Sequence, residues 1–224
     1  MEERRLTPWQ AFKDLLAGHK AEPLFLRVYN PFALKPADFV TVDDVLNGIS
    51  KTTYQVTEID VYRRTIGEKT FESVDYVLQD SKEANDNWLT LRVSETGALP
   101  SAAGPAERTI LLLFPDYEGE YDEDLHKQVL PSGILEIKDD HGEVLAHYER
   151  LHGLTDPYRA DVLVLAADAQ PRHESYDYWD FGRKQDARDE FYFVEMNTEN
   201  GMFQTWRAVE TTENELSFLR RTAN

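Results

Sequence analysis

From residue 24 onward the apolar side chains of this chain come in short runs of branched and aromatic residues, each cut off by Gly, Asn or Asp, and that pattern commits most of it to sheet. A first run at 24–29 stops at Asn30-Pro31. Tyr54, Val56, Ile59, Val61 and Tyr62 lead to Gly67, a second run fills 71–78, and 88–93 follows a polar loop, which together spell a three-strand meander. Runs at 134–137 and 144–148 flank Asp139-Asp140-His141-Gly142, and runs at 191–196 and 202–209 flank Asn197-Thr198-Glu199-Asn200-Gly201. Asp, Asn and Gly accept the backbone angles of tight turns, so both spacings predict hairpins.

Helical spacing occurs in two places. Thr7 can cap a helix, Pro8 suits its first turn, and Trp9, Phe12, Leu15 and Leu16 recur at helical intervals until Gly18. A short helical turn is predicted over 42–46, before Asn47-Gly48. The expected fold class is therefore α+β: mainly antiparallel sheet in meanders, as two related barrel-like or sheet units, with an N-terminal helix. The units are 1–93 and 110–224. Residues 94–109, with Gly97, Pro100, Gly104 and Pro105 and no period, read as a loop or linker between them, although the two halves can also share one core. Tyr62 and Tyr76 stand fourteen apart, as do Tyr178 and Tyr192, and each pair is followed by a tryptophan, Trp88 or Trp206, the order a duplicated meander would leave.

Charge and composition then remove whole classes of function. The 224 residues carry 24 basic and 42 acidic side chains, a net charge of −18, which repels phosphate backbones and anionic lipid faces, so nucleic acid is not an expected partner. With no cysteine there are no disulfides, thiolate zinc sites, iron–sulfur clusters or cysteine nucleophiles. The chain opens Met1-Glu2-Glu3-Arg4-Arg5 without the apolar core of a signal peptide. The longest apolar runs, 110–114 and 162–167, fall far short of the roughly 20 residues that cross a bilayer as a helix. The expectation is a soluble cytoplasmic protein, not inserted in a membrane.

Three groups of residues resemble a bacterial family known only as a domain of unknown function, number 4178. They are Tyr54-Gln55-Val56; Val74-Asp75-Tyr76-Val77-Leu78 with Trp88-Leu89; and Tyr178-Trp179-Asp180-Phe181 with Phe193-Val194-Glu195-Met196 and Gly201-Met202-Phe203. The resemblance spans about half of the chain and rests on sheet and turn residues. It implies a bacterial source and a β module, and it carries no catalytic residue.

Reactive constellations are missing from the text of the sequence. His147 and His152 are five apart rather than the four a helical zinc pair needs, and on a strand an odd separation sends them to opposite faces. Asp116, Glu118, Glu120, Asp122, Glu123 and Asp124 lack the offsets of a calcium loop and read as a solvated acidic stretch. No Gly-x-Ser-x-Gly elbow and no phosphate loop occurs. No catalytic residue, metal or cofactor is therefore expected, and the chain reads more as an interaction module than as an enzyme.

Recognition remains. The expected binding residues are Tyr176, Tyr178, Trp179, Asp180 and Phe181, where rings crowd beside acid, together with Tyr117, Tyr121 and Asp122 in the acidic stretch. They predict a non-catalytic module that docks another protein, a basic one if the carboxylates take part. The alternative is a small-ligand-binding protein or a carboxylate-based hydrolase with a pocket between or within the sheets, converging on acids such as Asp180 and Glu195. The first reading assumes that the sheets bury their rings and leave their carboxylates wet.

Overall fold

A computed structural model describes residues 25–28, 30–80, 88–95, 108–151, 156–166, 169–183 and 189–221. The strands are β1 (Phe25–Val28), β2 (Phe39–Asp44), β3 (Ile49–Ile66), β4 (Lys69–Asp80), β5 (Trp88–Glu95), β6 (Arg108–Gly119) and β7 (Ile134–Lys138), then β8 (Val144–Arg150), β9 (Tyr158–Ala166), β10 (Arg172–Arg183), β11 (Glu190–Asn197), β12 (Phe203–Glu210) and β13 (Leu216–Arg221). Two four-strand meanders, β3–β6 and β9–β12, meet along both edges. β6 pairs with β12, and β9 pairs with β3 from Glu58↔Ala166 to Thr65↔Arg159. The product is a closed antiparallel barrel of eight strands.

β3 is long enough to serve two sheets. Between Val56 and Glu58 its register slips, so that Thr57 is an extra residue. The slip puts Val56 and Ile59, an odd separation apart, into the same apolar cluster. Ahead of this bulge β3 stays paired with β4 back to Tyr54 but exchanges β9 for β2 on its other edge, and β2 continues through β13 to β1. At the other side β10 pairs with β8 at Phe181↔Arg150, and β8 carries the β7 hairpin.

Contacts that leap between non-adjacent strands identify the lumen. Tyr62 on β3 bonds Glu195 on β11, and Arg92 on β5 bonds Tyr178 on β10. The faces opposite these residues are covered by two outer layers. Val40, Val42 and Phe218 of the β1–β13–β2 sheet pack with Leu89, Leu91, Val93 and Leu112 of the barrel. Leu130, Leu135 and Tyr148 close over Trp179, Phe181 and Val194. Apolar side chains therefore pack on both sides of the wall, in two clusters between layers and in a third inside the lumen that includes Leu111, Leu113, Phe191 and Phe193. The lumen receives the alternate residues, many of them polar.

The α+β expectation is overturned: the fold is mostly β. Residues 42–46 form the end of β2 and a 3-10 turn, Val45–Asn47, because Val40, Val42 and Asp44 are buried alternately, a period of two that no helix satisfies. The helical content that counts among the described residues is one short stretch, π-helical over Leu125–Val129 and α-helical over Leu130–Ser132. The helix predicted from Thr7 to Gly18 lies outside the described residues. Nor are there two separate barrel-like units, since each meander supplies half of one barrel wall. Ser94 and Thr109, expected at the ends of the linker, are a cross-strand pair of β5 and β6.

The meander of β3, β4 and β5 and the two hairpins stand where the spacing put them, with Gly142 and Gly201 at positive φ in their turns. The matched aromatics also take matched places. Tyr62 and Tyr178 face the lumen, Tyr76 and Tyr192 lie in the outer cores, and Trp88 and Trp206 touch edge to face, 5.4 Å apart at 84°. This correspondence relates β3 to β10, whereas edge pairing relates β3 to β9, so it runs one strand out of step with barrel closure. No helix among the described residues is long and apolar enough to cross a membrane.

Candidate functional site

Side chains two apart on a strand share a face, so β3 sends Glu58, Asp60, Tyr62 and Arg64 in a row down one side of the lumen. From β5 come Trp88, Thr90 and Arg92, and from β10 Glu174, Tyr176 and Tyr178. The rows grade from an open, acidic and aromatic mouth to a closed, charged interior.

In the interior the Arg92 guanidinium forks onto Asp75, with Nε 2.8 Å from Oδ1 and Nη2 2.6 Å from Oδ2. It also donates from Nη1 to Tyr178 Oη at 2.6 Å and reaches Glu195 Oε1 at 3.5 Å. Tyr62 Oη donates to the other Glu195 oxygen at 3.1 Å. Arg64 lies between the rings of Tyr62 and Tyr178, 4.7 Å from each centroid, and donates from Nη1 to Ser73 Oγ at 2.9 Å. Two cations thus face two carboxylates in a space water does not reach, where each charge depends on its partners. Burial above all, then the neighbouring Asp75, pushes the Glu195 carboxyl above its ordinary range, against the pull of Arg92. Burial first and Glu195 next hold the Tyr62 phenol well above its usual value, so it stays a donor.

Above this layer the mouth opens into a cavity of about 510 Å³. Tyr62 and Asp60 meet it from below, Trp88 and Trp206 form one wall, and Val162, Val164 and Tyr176 line another side. At the rim Arg172 is clamped by two acids, Glu174 at 2.6 Å and Glu58 at 3.3 Å. Glu174 also accepts from Tyr176 Oη. Of the buried side-chain atoms without a hydrogen bond, two belong to residues that line the mouth, Asp60 Oδ1 and Trp206 Nε1, while others, such as Arg64 Nε and Thr90 Oγ1, lie deeper in the barrel. Burial, then repulsion from Glu58, Asp75 and Glu195, raises the Asp60 carboxyl to about 8, with Arg172 opposing. At neutral pH Asp60 is therefore mostly protonated.

The expected binding residues divide between two sides of the barrel wall. Tyr176 and Tyr178 are in the lumen, and Asp180 is fully buried with Arg150 Nε at 3.7 Å from Oδ1. Trp179 and Phe181 point outward from β10 into the core under the β7–β8 hairpin. Tyr117 and Tyr121 are about half exposed. Tyr117 borders a small hollow shared with Trp88 and Trp206 beside the mouth. Tyr121 bonds His126 Nδ1 at 2.8 Å and packs against Phe203, while Asp122 Oδ1 accepts from the Leu125 amide and so opens the short helical stretch. The idea that carboxylates stay wet is corrected at Asp75, Asp180 and Glu195, which are 3%, 0% and 1% exposed.

The residues that shape the mouth, Glu58, Asp60, Tyr62, Trp88, Arg172 and Glu174, were not among those expected. Their signal is local: after the bulge in β3, Glu58, Asp60 and Tyr62 alternate with Ile59 and Val61, a pattern that a strand lying on solvent would share. Among the described residues no group of three or more His, Asp or Glu side chains is placed to hold a metal ion. No protein-family model, curated protein or solved structure matches the chain.

Proposed function

We propose that the protein binds a small organic ligand in the mouth of its barrel. One observation carries the reading: a cavity of about 510 Å³ with a tryptophan pair on its wall holds a buried carboxyl oxygen, Asp60 Oδ1, that nothing in the protein satisfies. A buried polar atom left without a partner costs ~1–3 kcal/mol, a cost readily tolerated where a ligand supplies the missing bond. The volume falls in the ordinary range for small-molecule sites, and a few polar groups converging within aromatic walls is their usual chemistry.

Binding is favoured over hydrolysis because Glu195 is held by Arg92 and Tyr62, and Asp180 stands beside Arg150. Docking of another protein through β10 has less support, since Tyr176, Tyr178, Trp179, Asp180 and Phe181 are all buried.

The test is a thermal-shift screen of small polar aromatics against the full chain and against Val164→Phe, which fills the cavity from β9. A ligand at a hundred times its Kd stabilises the fold by ~2.7 kcal/mol, a plain upward shift in Tm. Compounds that stabilise the native chain should perturb tryptophan emission and lose their effect in Val164→Phe. Shifts that persist in the filled variant, or no shift with any compound, would overturn the proposal.

A further inference from the structure

The mouth is acidic in a way that the internal charge network is not. Glu58, Asp60, Glu118 and Glu174 line it, and among the described residues Arg172 is the one basic side chain in its lining, already engaged by Glu58 and Glu174. An anion entering here would meet no free positive charge among the lining residues, and the net charge of −18 sets the surrounding field against it. A cation meets the reverse: carboxylates at the rim, the unpartnered Asp60 Oδ1 farther in, and the ring faces of Trp88 and Trp206. Trp is the best ring for holding a cation, and the attraction grows as water is excluded.

We propose that the ligand of the barrel mouth is an organic cation, an ammonium group on a compact apolar body, whose N–H groups bond Asp60 while its body packs against Trp88 and Trp206. The inference rests on the small-ligand reading and names its ligand class. Asp60 is faced by Glu58 on its own strand, Asp75 on β4, Glu195 on β11 and Arg172 on β10, and beyond the acids by Arg92 on β5. Three carboxylates and burial keep the proton on Asp60 near neutrality, so the cation must displace that proton when it binds. Affinity for an ammonium therefore rises with pH, up to about tenfold per unit below about pH 8, and levels off above it. A neutral ligand accepting a bond from protonated Asp60 would instead bind with unchanging affinity below about pH 8 and lose affinity above it.

Three probes of one shape separate the cases: 2-phenylethylammonium, 2-phenylethanol and phenylacetate, titrated calorimetrically into the full chain from about pH 6 to about pH 8, where a primary amine stays charged. The ammonium should bind at least tenfold tighter than either companion, gain affinity as pH rises, and lose tenfold or more in Asp60→Asn while 2-phenylethanol changes less than twofold. An alcohol or carboxylate that binds as well as the ammonium, in a manner abolished by Val164→Phe, would overturn the cation and leave the ligand site standing. If none of the three binds at millimolar concentration, both ideas fall. Should Asp60→Asn misfold, the probe ranking and the sign of the pH slope in the native chain decide the matter.

Discussion

Replacing Arg92 by Met tests the charged interior on which the lumen is built. The side chain is 2% exposed and is the ion-pair partner of both Asp75 and Glu195. Met fills most of the volume and strips both carboxylates of their ion-pair partner, leaving Arg64 as the nearby cation. Removing one member of a buried pair costs ~3–5 kcal/mol, and with two acids stranded the upper end applies. Protonation offers the acids an escape whose cost can be worked out. Taking Glu195 from an ordinary carboxyl value near 4.5 to the neutral form at about pH 7 costs about 3 kcal/mol. The variant should therefore lose about 5 kcal/mol at neutral pH. In it the folded state holds protons that the unfolded state releases, so stability is present at low pH and lost as pH rises. The deficit should shrink on acidification by about 1.4 kcal/mol per pH unit where Glu195 has taken up a proton. Urea unfolding followed by circular dichroism at several pH values reads both the size and the slope. Adding Asp75→Asn and Glu195→Gln should recover most of the loss. A cost below about 1 kcal/mol, or a deficit that grows in acid, would refute the reasoning, because it would mean that water already screens the lumen.

Other substitutions test separate layers. Asp60→Asn removes a carboxyl whose folded value is about 8 against an ordinary 3.8, so it should stabilise the chain by about 4 kcal/mol at about pH 7. The gain should fade to nothing near pH 4 in the same urea experiment. Trp179→Ala empties the outer core under the β7–β8 hairpin and should cost ~3–5 kcal/mol while leaving probe affinity in the mouth unchanged. Gly201→Ala places a side chain at φ +73° in the β11–β12 turn and should cost about 1 kcal/mol, measured as a drop in Tm.

Local chemistry was legible and closure was not. Asp139-Asp140-His141-Gly142 and Asn197 to Gly201 announce their hairpins because the backbone angles needed there favour those residues wherever the strands go. The pairing of Ile59 with Leu165, which closes the barrel, joins residues more than a hundred positions apart and leaves no mark that either strand carries alone. In β5 the alternation of Leu89, Leu91 and Val93 with Trp88, Thr90 and Arg92 reads as a strand with one dry and one wet face. The period gives the two faces correctly and says nothing about which side is open. Here the apolar face meets a second layer of sheet, and the polar face turns into the lumen. The same limit explains the expected binding cluster: Tyr178 and Trp179 are neighbours in sequence and lie on opposite sides of the barrel wall. Asp60 stayed out of sight because its character comes first from burial, which the strand alone does not reveal, then from Glu58 on its own strand and from Asp75 and Glu195, which fold in from other strands.

The most direct test is a crystal structure of the full chain soaked with 2-phenylethylammonium. The account predicts the probe inside the barrel mouth, its nitrogen within about 3 Å of the Asp60 carboxyl and its ring against Trp88 and Trp206. A probe seated on the outer layers, with the mouth closed by the protein's own side chains, would contradict it.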